Sequence, residues 1–194
     1  MAMMHTPRTM RGFTLVELMV TLAVLAILTM VAVPNFRDTI RRNRVSAASN
    51  ALLADLHYAR AEAINRGQLV SLCPSSNGSS CTAGGAAWEA GWLVYTYPAG
   101  AASANAAYAA GNILLRVADA REGVAVRASS TDVVSFGQQG QLRPGAALSF
   151  VTCIRNGNGD AAENPAAVPG ARLALTGSGS LSNKALVAGD TCTP

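Results

Sequence analysis

Histidine occurs only twice in this 194-residue sequence, aromatic side chains make up 5% and charged side chains 13%. The two histidines, His5 and His57, leave little material for a histidine-based metal centre. His57 lies in a helical stretch with neither a nucleophile nor an orienting acid set beside it, so it reads as a polar helix-surface residue rather than a general base. No glycine-rich loop leads into a helix in the manner of a phosphate cradle. The acidic residues are scattered, and none of the four cysteines belongs to a C-x-x-C pair. Catalytic, cofactor and metal sites are therefore not expected. Half the residues are nevertheless apolar, so the composition is not that of a disordered chain. The length suits one compact domain plus an extended element.

The net charge of +4 is unevenly placed. Residues 1–12 hold Arg8 and Arg11 with no acid, and residues 13–66 hold six arginines against Glu17, Asp38, Asp55 and Glu62. Residues 67–194 carry seven bases and seven acids, so the larger part of the chain has no net field to steer a polyanion. Cys73, Cys81, Cys153 and Cys192 form an even set. Four cysteines allow three connectivities, and closeness in sequence favours Cys73 with Cys81, leaving Cys153 with Cys192. Free buried thiols are the competing reading, with a metal site well behind. Disulfides would place this region in an oxidising compartment.

From Phe13 to Val33 runs a stretch of 21 residues whose only ionisable side chain is Glu17. As a helix it is long enough to span a bilayer core of about 30 Å. A cleaved signal peptide shares the basic start, but its apolar region is usually only about 7–15 residues and is followed by small residues at a cleavage site, which are missing here. A carboxylate in a membrane helix costs about 2.5–3.5 kcal/mol on insertion scales, so Glu17 calls for a partner unless it stays among the headgroups.

The order Arg11-Gly12-Phe13-Thr14-Leu15-Val16-Glu17 resembles the type IV prepilin signature. That resemblance implies a leader, residues 1–12, cut by a prepilin peptidase after Gly12. It also implies N-methylation of Phe13 and an assembly role for Glu17, which receives the N-terminal amine of a neighbouring subunit. Arginines at 37, 41, 42 and 44 outnumber the two before the helix, so positive-inside counting puts the C-terminal side in the cytoplasm. The cysteines and the signature place it on the oxidising side, and that placement is adopted.

Pro34 is expected to kink the helix without ending it, because Ala48, Leu52, Leu56, Ala59 and Ala63 continue at helical spacing. Arg41, Arg42, Asp55, Arg60 and Glu62 fall on the other faces, and Arg66-Gly67 is a plausible stop. A helix over 13–66 would be about 80 Å long. Residues 13–33 would form the transmembrane part, 34–66 would pack on the head, and 67–194 would be a periplasmic β-rich head. In that head QLVSLC, WLVYTY, ILLRV, VAVRA, VVSF, ALSFVTC and ARLALT read as strands, separated by Gly, Asn, Pro and Ser. Ala99–Gly111 and Asn156–Pro169 read as loops. Trp88 and Trp92 read as core or interface packing rather than ligand stacking. The fold expected is α+β, a long N-terminal transmembrane and stem helix packed on a mainly antiparallel β-sheet head, the pilin-like fold.

The stretch YARAEAINRGQLVSLCPSS, then WEAGWLVY and VVSFGQQGQLR, resembles the GspH/FimT family of minor pilins and pseudopilins. Membership implies single-pass insertion in the bacterial inner membrane, followed by assembly with other minor pilins and the major pilin, or with pseudopilins. Tyr58–Cys73 looks most like the pilus-type members, so the expected role is a minor pilin that helps initiate or cap a type IV pilus. The alternatives are an H-type pseudopilin of a type II secretion system and a competence-type DNA-binding pilin. DNA-binding members carry Gly-Arg-x-Arg near the C-terminus, and the matching place here reads Gly179-Ser180-Leu181-Ser182. Without those guanidinium groups for phosphate contact, DNA is not an expected partner, and only Arg172 and Lys184 remain as a thin patch.

Overall fold

The structure is a computed structural model and describes residues 12–101, 103–129, 133–155 and 161–194. All of the expected leader but Gly12 lies outside the described residues. The helix α1 spans Leu15–Arg66, two residues later than the motif suggests, because Thr14 caps it. The Thr14 Oγ1 accepts the Glu17 N–H at 3.2 Å, meeting one of the donors that a helix start leaves open. Within the apolar stretch the hydroxyls of Thr21 and Thr29 donate to the carbonyls of Leu18 and Ala26, at 2.8 and 2.9 Å, so neither stays an open polar group. The helix continues through position 34. It ends at Gly67, whose φ of 60° is the left-handed value glycine adopts without a Cβ clash. Gly67 N–H bonds to Ile64 O and Gln68 N–H to Ala63 O, both at 3.3 Å, the paired closure of a Schellman turn.

Two units divide the chain, Met1–Asp38 and Thr39–Pro194. The first contributes the apolar start of α1, with Leu15, Val16, Met19, Ile27 and Met30 all more than 60% exposed. In the second, α1 buries Val45, Ala48, Leu52, Leu56, Ala59 and Ala63. This contains the whole predicted stripe, and the alanines let the helix lie close to the strands. Asp55 is a correction to the sequence reading, which set it on a polar face. It is only 6% exposed, and its carboxylate accepts the Trp92 Nε1–H at 2.8 Å and the Arg116 guanidinium at 2.5 Å. Periodicity counts a carboxylate as outward, but a buried one is tolerated when both oxygens are hydrogen-bonded.

Among the described residues ten strands follow: β1 Val70–Pro74, β2 Trp92–Thr96, β3 Ile113–Ala118, β4 Val124–Ala128, β5 Val134–Phe136, β6 Leu142–Arg143, β7 Leu148–Arg155, β8 Ala162–Glu163, β9 Ala171–Leu175 and β10 Leu181–Ala185. Every pairing is antiparallel. They form two sheets, ordered β3-β2-β1-β5-β6 and β10-β9-β7-β4, with β8 on the end of β7. The seven apolar runs read from sequence all contain strands. The short β6 and β8 and the polar β10 escaped that reading. β8 falls inside the expected 156–169 loop, of which residues 156–160 lie outside the described residues.

Helix and sheets share a core in which Trp88 and Trp92 are fully buried. Trp88 meets Phe150 edge-on with ring centroids 5.0 Å apart. The other face of β1 and β2 carries Cys73, Leu93 and Tyr95, and the Ala-rich loop after β2 closes it. The hydroxyls of Tyr95 and Tyr97 both donate to Ala106 O, at 2.7 and 2.8 Å, and Asn105 N–H donates to Ser135 Oγ at 2.9 Å.

Turns join the two sheets. Gly140, between β5 and β6, accepts a hydrogen bond from Arg60 Nε of α1 at 2.9 Å. Gly179, between β9 and β10, lies so close that a Cβ on it would stand 1.9 Å from Gly140 O. Nearby, Leu142 N–H donates to Gly177 O at 2.9 Å. The Leu52 side chain is fully buried against this core, so Leu52→Ala is expected to cost about 2–5 kcal/mol. The denaturant midpoint of the whole chain in detergent micelles should fall accordingly, and an unchanged midpoint would contradict the packing described.

Candidate functional site

Gly12 and Phe13 precede α1, both exposed, Phe13 to 80%. Glu17 is the third helical residue and also exposed. The three residues singled out by the prepilin-like motif thus gather at one helix start. Thr14, part of the motif but given no role in it, caps the helix there. Its signal was available, since Thr-x-x-Glu ahead of an apolar run is the pattern of a capping box. The same spacing places the Glu17 carboxylate in the first turn, where the helix dipole favours negative charge. By length and composition α1 is able to cross a membrane, and its most apolar stretch is not buried against the described residues.

The structure joins Cys73 to Cys81 and Cys153 to Cys192, with Cα atoms 5.6 and 6.1 Å apart. The first ties β1 to the loop after it, where Tyr108 N–H reaches Cys81 Sγ at 3.1 Å. The second ties the middle of β7 to the C-terminal segment beside Leu186 and Val151. His57 is exposed on α1. Among the described residues no three His, Cys, Asp or Glu side chains gather as a metal site would require.

Sequence reasoning also missed a charged cluster, because its members lie far apart along the chain. Glu89 accepts from the guanidinium groups of Arg127 on β4 and Arg155 on β7, and from Val126 N–H at 3.1 Å. Burial pushes the Glu89 carboxyl up, but the Arg127 hydrogen bond and charge and the backbone donors outweigh it and hold the group below the ordinary glutamate value of 4.5. Burial, reinforced by Tyr97, raises the Tyr95 phenol well above its ordinary 10.0, so it remains a donor to Ala106 O at neutral pH.

An apolar helix set at its far end on two antiparallel sheets defines a pilin-like protein. The sequence carries the prokaryotic N-terminal methylation motif over residues 7–33. Residues 48–185 match the family described as type II transport protein GspH, and the chain belongs to that family. Among solved structures it resembles the type IV minor pilin FimU of Pseudomonas aeruginosa, at 22% identity and a TM-score of 0.52, over 76% of this chain and 96% of that one. The minor pseudopilin EpsH of the type 2 secretion system of Vibrio cholerae is similar at 11% identity and a TM-score of 0.42, over 73% of this chain and 97% of that one.

The Glu89 shift has a stability consequence of definite sign. A carboxyl whose folded value is depressed stabilises the fold above its unfolded value, and that contribution fades as pH falls through the folded one. Stability should therefore decline as the solution is acidified below about pH 4.5. Glu89→Gln should be less stable at neutral pH and show a shallower acid slope, as read from denaturation midpoints across pH. Identical slopes in the two proteins would remove Glu89 from the account.

Proposed function

We propose that this chain is a minor pilin that helps initiate or cap a type IV pilus. A prepilin peptidase removes residues 1–12 after Gly12 and methylates the new terminus at Phe13. Residues 13–33 then hold the subunit in the bacterial inner membrane, residues 34–66 continue the stem, and the head, 67–194, faces the periplasm until the subunit joins other minor pilins and the major pilin. The observation that carries this reading is the union of a methylation motif over 7–33 with an uncovered apolar helix and a GspH-family head. The fold likeness to a type IV minor pilin supports the pilus side of the family, and the two disulfides suit an oxidising compartment.

Glu17 has a direct role in this scheme. Cleavage exposes an amine at Phe13, and a carboxylate four residues further along a neighbouring helix is the charge that pairs with it in an apolar bundle. A pair formed there satisfies two groups that are costly apart. Glu17→Val should still enter the membrane and lose its leader, while its recovery in sheared filaments should fall at least about tenfold. Recovery at the parent level would dismiss the pairing.

The description of the family as a type II transport protein favours a second reading, a pseudopilin of a protein secretion machine. DNA capture receives no comparable support, since Gly179 lies in the tight β9–β10 turn against Gly140 and is followed by no arginine in that turn. Deleting the gene and scoring surface pili, twitching and secreted enzymes in parallel separates the two. Loss of pili with normal secretion is expected, and normal piliation with lost secretion would move the protein to the secretion class.

A further inference from the structure

The two sheets have four outer edges, and three are managed. The edge of β4 is covered by Ala86–Trp88, through the Ala87–Arg127 bridge and the bonds Trp88 N–H to Val126 O and Ala128 N–H to Ala86 O. The two-residue β6 is short, and its Leu142 amide is taken by Gly177 O. The edge strand β10 is polar, with Asn183 and Lys184 exposed, the kind of charged edge that discourages further pairing. The fourth edge, β3, has no covering segment among the described residues, although a register shift opposite Val94 and Tyr95 leaves Leu115 without a partner in β2. It is six residues long and, among the described residues, pairs with β2 alone. Ile113, Leu114 and Val117 are 56%, 37% and 44% exposed. Its one charged residue, Arg116, bonds to Asp55 and lies over the Tyr58 ring, 4.1 Å from the centroid, with 46% of its side chain exposed.

The loop that leaves β3 lines an open cleft of about 700 Å³ formed by Glu89, Ala90, Ala120–Gly123, Arg127 and Arg155. The Arg44 guanidinium lies near Gly123, where a Cβ would stand 2.9 Å from Arg44 Nη1, but it is not part of the lining. Three guanidinium groups of the lining, from Arg121, Arg127 and Arg155, share the cleft with two carboxylates, Glu89 and Glu122. Glu89 is already engaged by two of the arginines. Asp119 is exposed on the same loop but does not line the cleft. The lining carries an excess of one positive charge at the end of an edge strand.

We infer that the outer edge of β3 docks an extended segment of a neighbouring subunit in the same assembly, carrying apolar residues along β3 and an aspartate or glutamate where it meets the arginine cleft. An unpaired row of backbone N–H and C=O groups is complementary to another extended backbone, and the cleft fixes which end of that segment carries the charge. This rests on the assembly reading above and names the contact its head makes.

A benzophenone-bearing residue placed at Ile113 in the full-length chain, irradiated in the cells that make it, reads the contact directly. The expected adduct joins a different pilin-like subunit through a non-helical segment that contains an acidic residue. Leu114→Lys and Arg121→Glu should each abolish it, while Leu114→Thr, which keeps strand propensity, preserves it. Both disulfides, checked on non-reducing gels, report that each variant has folded. An adduct to a second copy of this chain, to a helical stem or to lipid would overturn the inference. So would an adduct unchanged by either charge substitution in a chain that still enters filaments, and in that case the assembly reading would stand. Absence of the unsubstituted chain from every filament would overturn both.

Discussion

Among the described residues nothing covers the apolar stretch at the start of α1, and water does not tolerate that arrangement. Fully burying one leucine or isoleucine is worth about 1.5–3 kcal/mol, and more than ten large apolar side chains between Phe13 and Val33 are exposed. A lipid bilayer or a bundle of similar helices can take such a surface. The rest of the molecule is organised so that this segment remains available. The capping threonine and the back-bonded Thr21 and Thr29 leave the early helix with satisfied hydroxyls, and the burial of α1 by its own sheets begins only at Val45.

Where α1 does meet the sheets, it is held by more than hydrophobic contact. The buried Asp55 carboxylate joins helix to sheet through Trp92 and Arg116. This geometry is directional, unlike the leucines around it, and fixes the rotation of the helix on β2 and β3. On the far side of the first sheet, Tyr95 and Tyr97 converge on one carbonyl of the Ala-rich loop, which gives order to a segment with almost no side chains of its own to bury.

Local regularity made much of this legible from residues alone. Ala48, Leu52, Leu56, Ala59 and Ala63 announce the buried face by their spacing, Gly67 announces the stop, and apolar runs mark the seven longer or better buried strands. What escaped depends on partners distant in sequence. Asp55 looks solvent-facing until Trp92 and Arg116 are brought to it. Glu89, Arg127 and Arg155 are separate residues until β4 and β7 pair. The division into two sheets and the polar edge strand β10 leave no periodic mark. Around Phe13 the reverse holds: the motif identifies the residues, while the local structure there is a single helix start that says little by itself.

The contact of Gly179 with Gly140, under Arg60, bears on how the head carries mechanical load. Tension arriving along the packed part of α1 reaches Arg60, whose bond to Gly140 passes it to the first sheet, and the main chain of Gly179 against that same peptide passes it to the second. At this point the two sheets meet main chain to main chain, with no side chain between the two glycines. A side chain at Gly179 would have to push the β5–β6 and β9–β10 turns apart, and with them the two sheets those turns belong to.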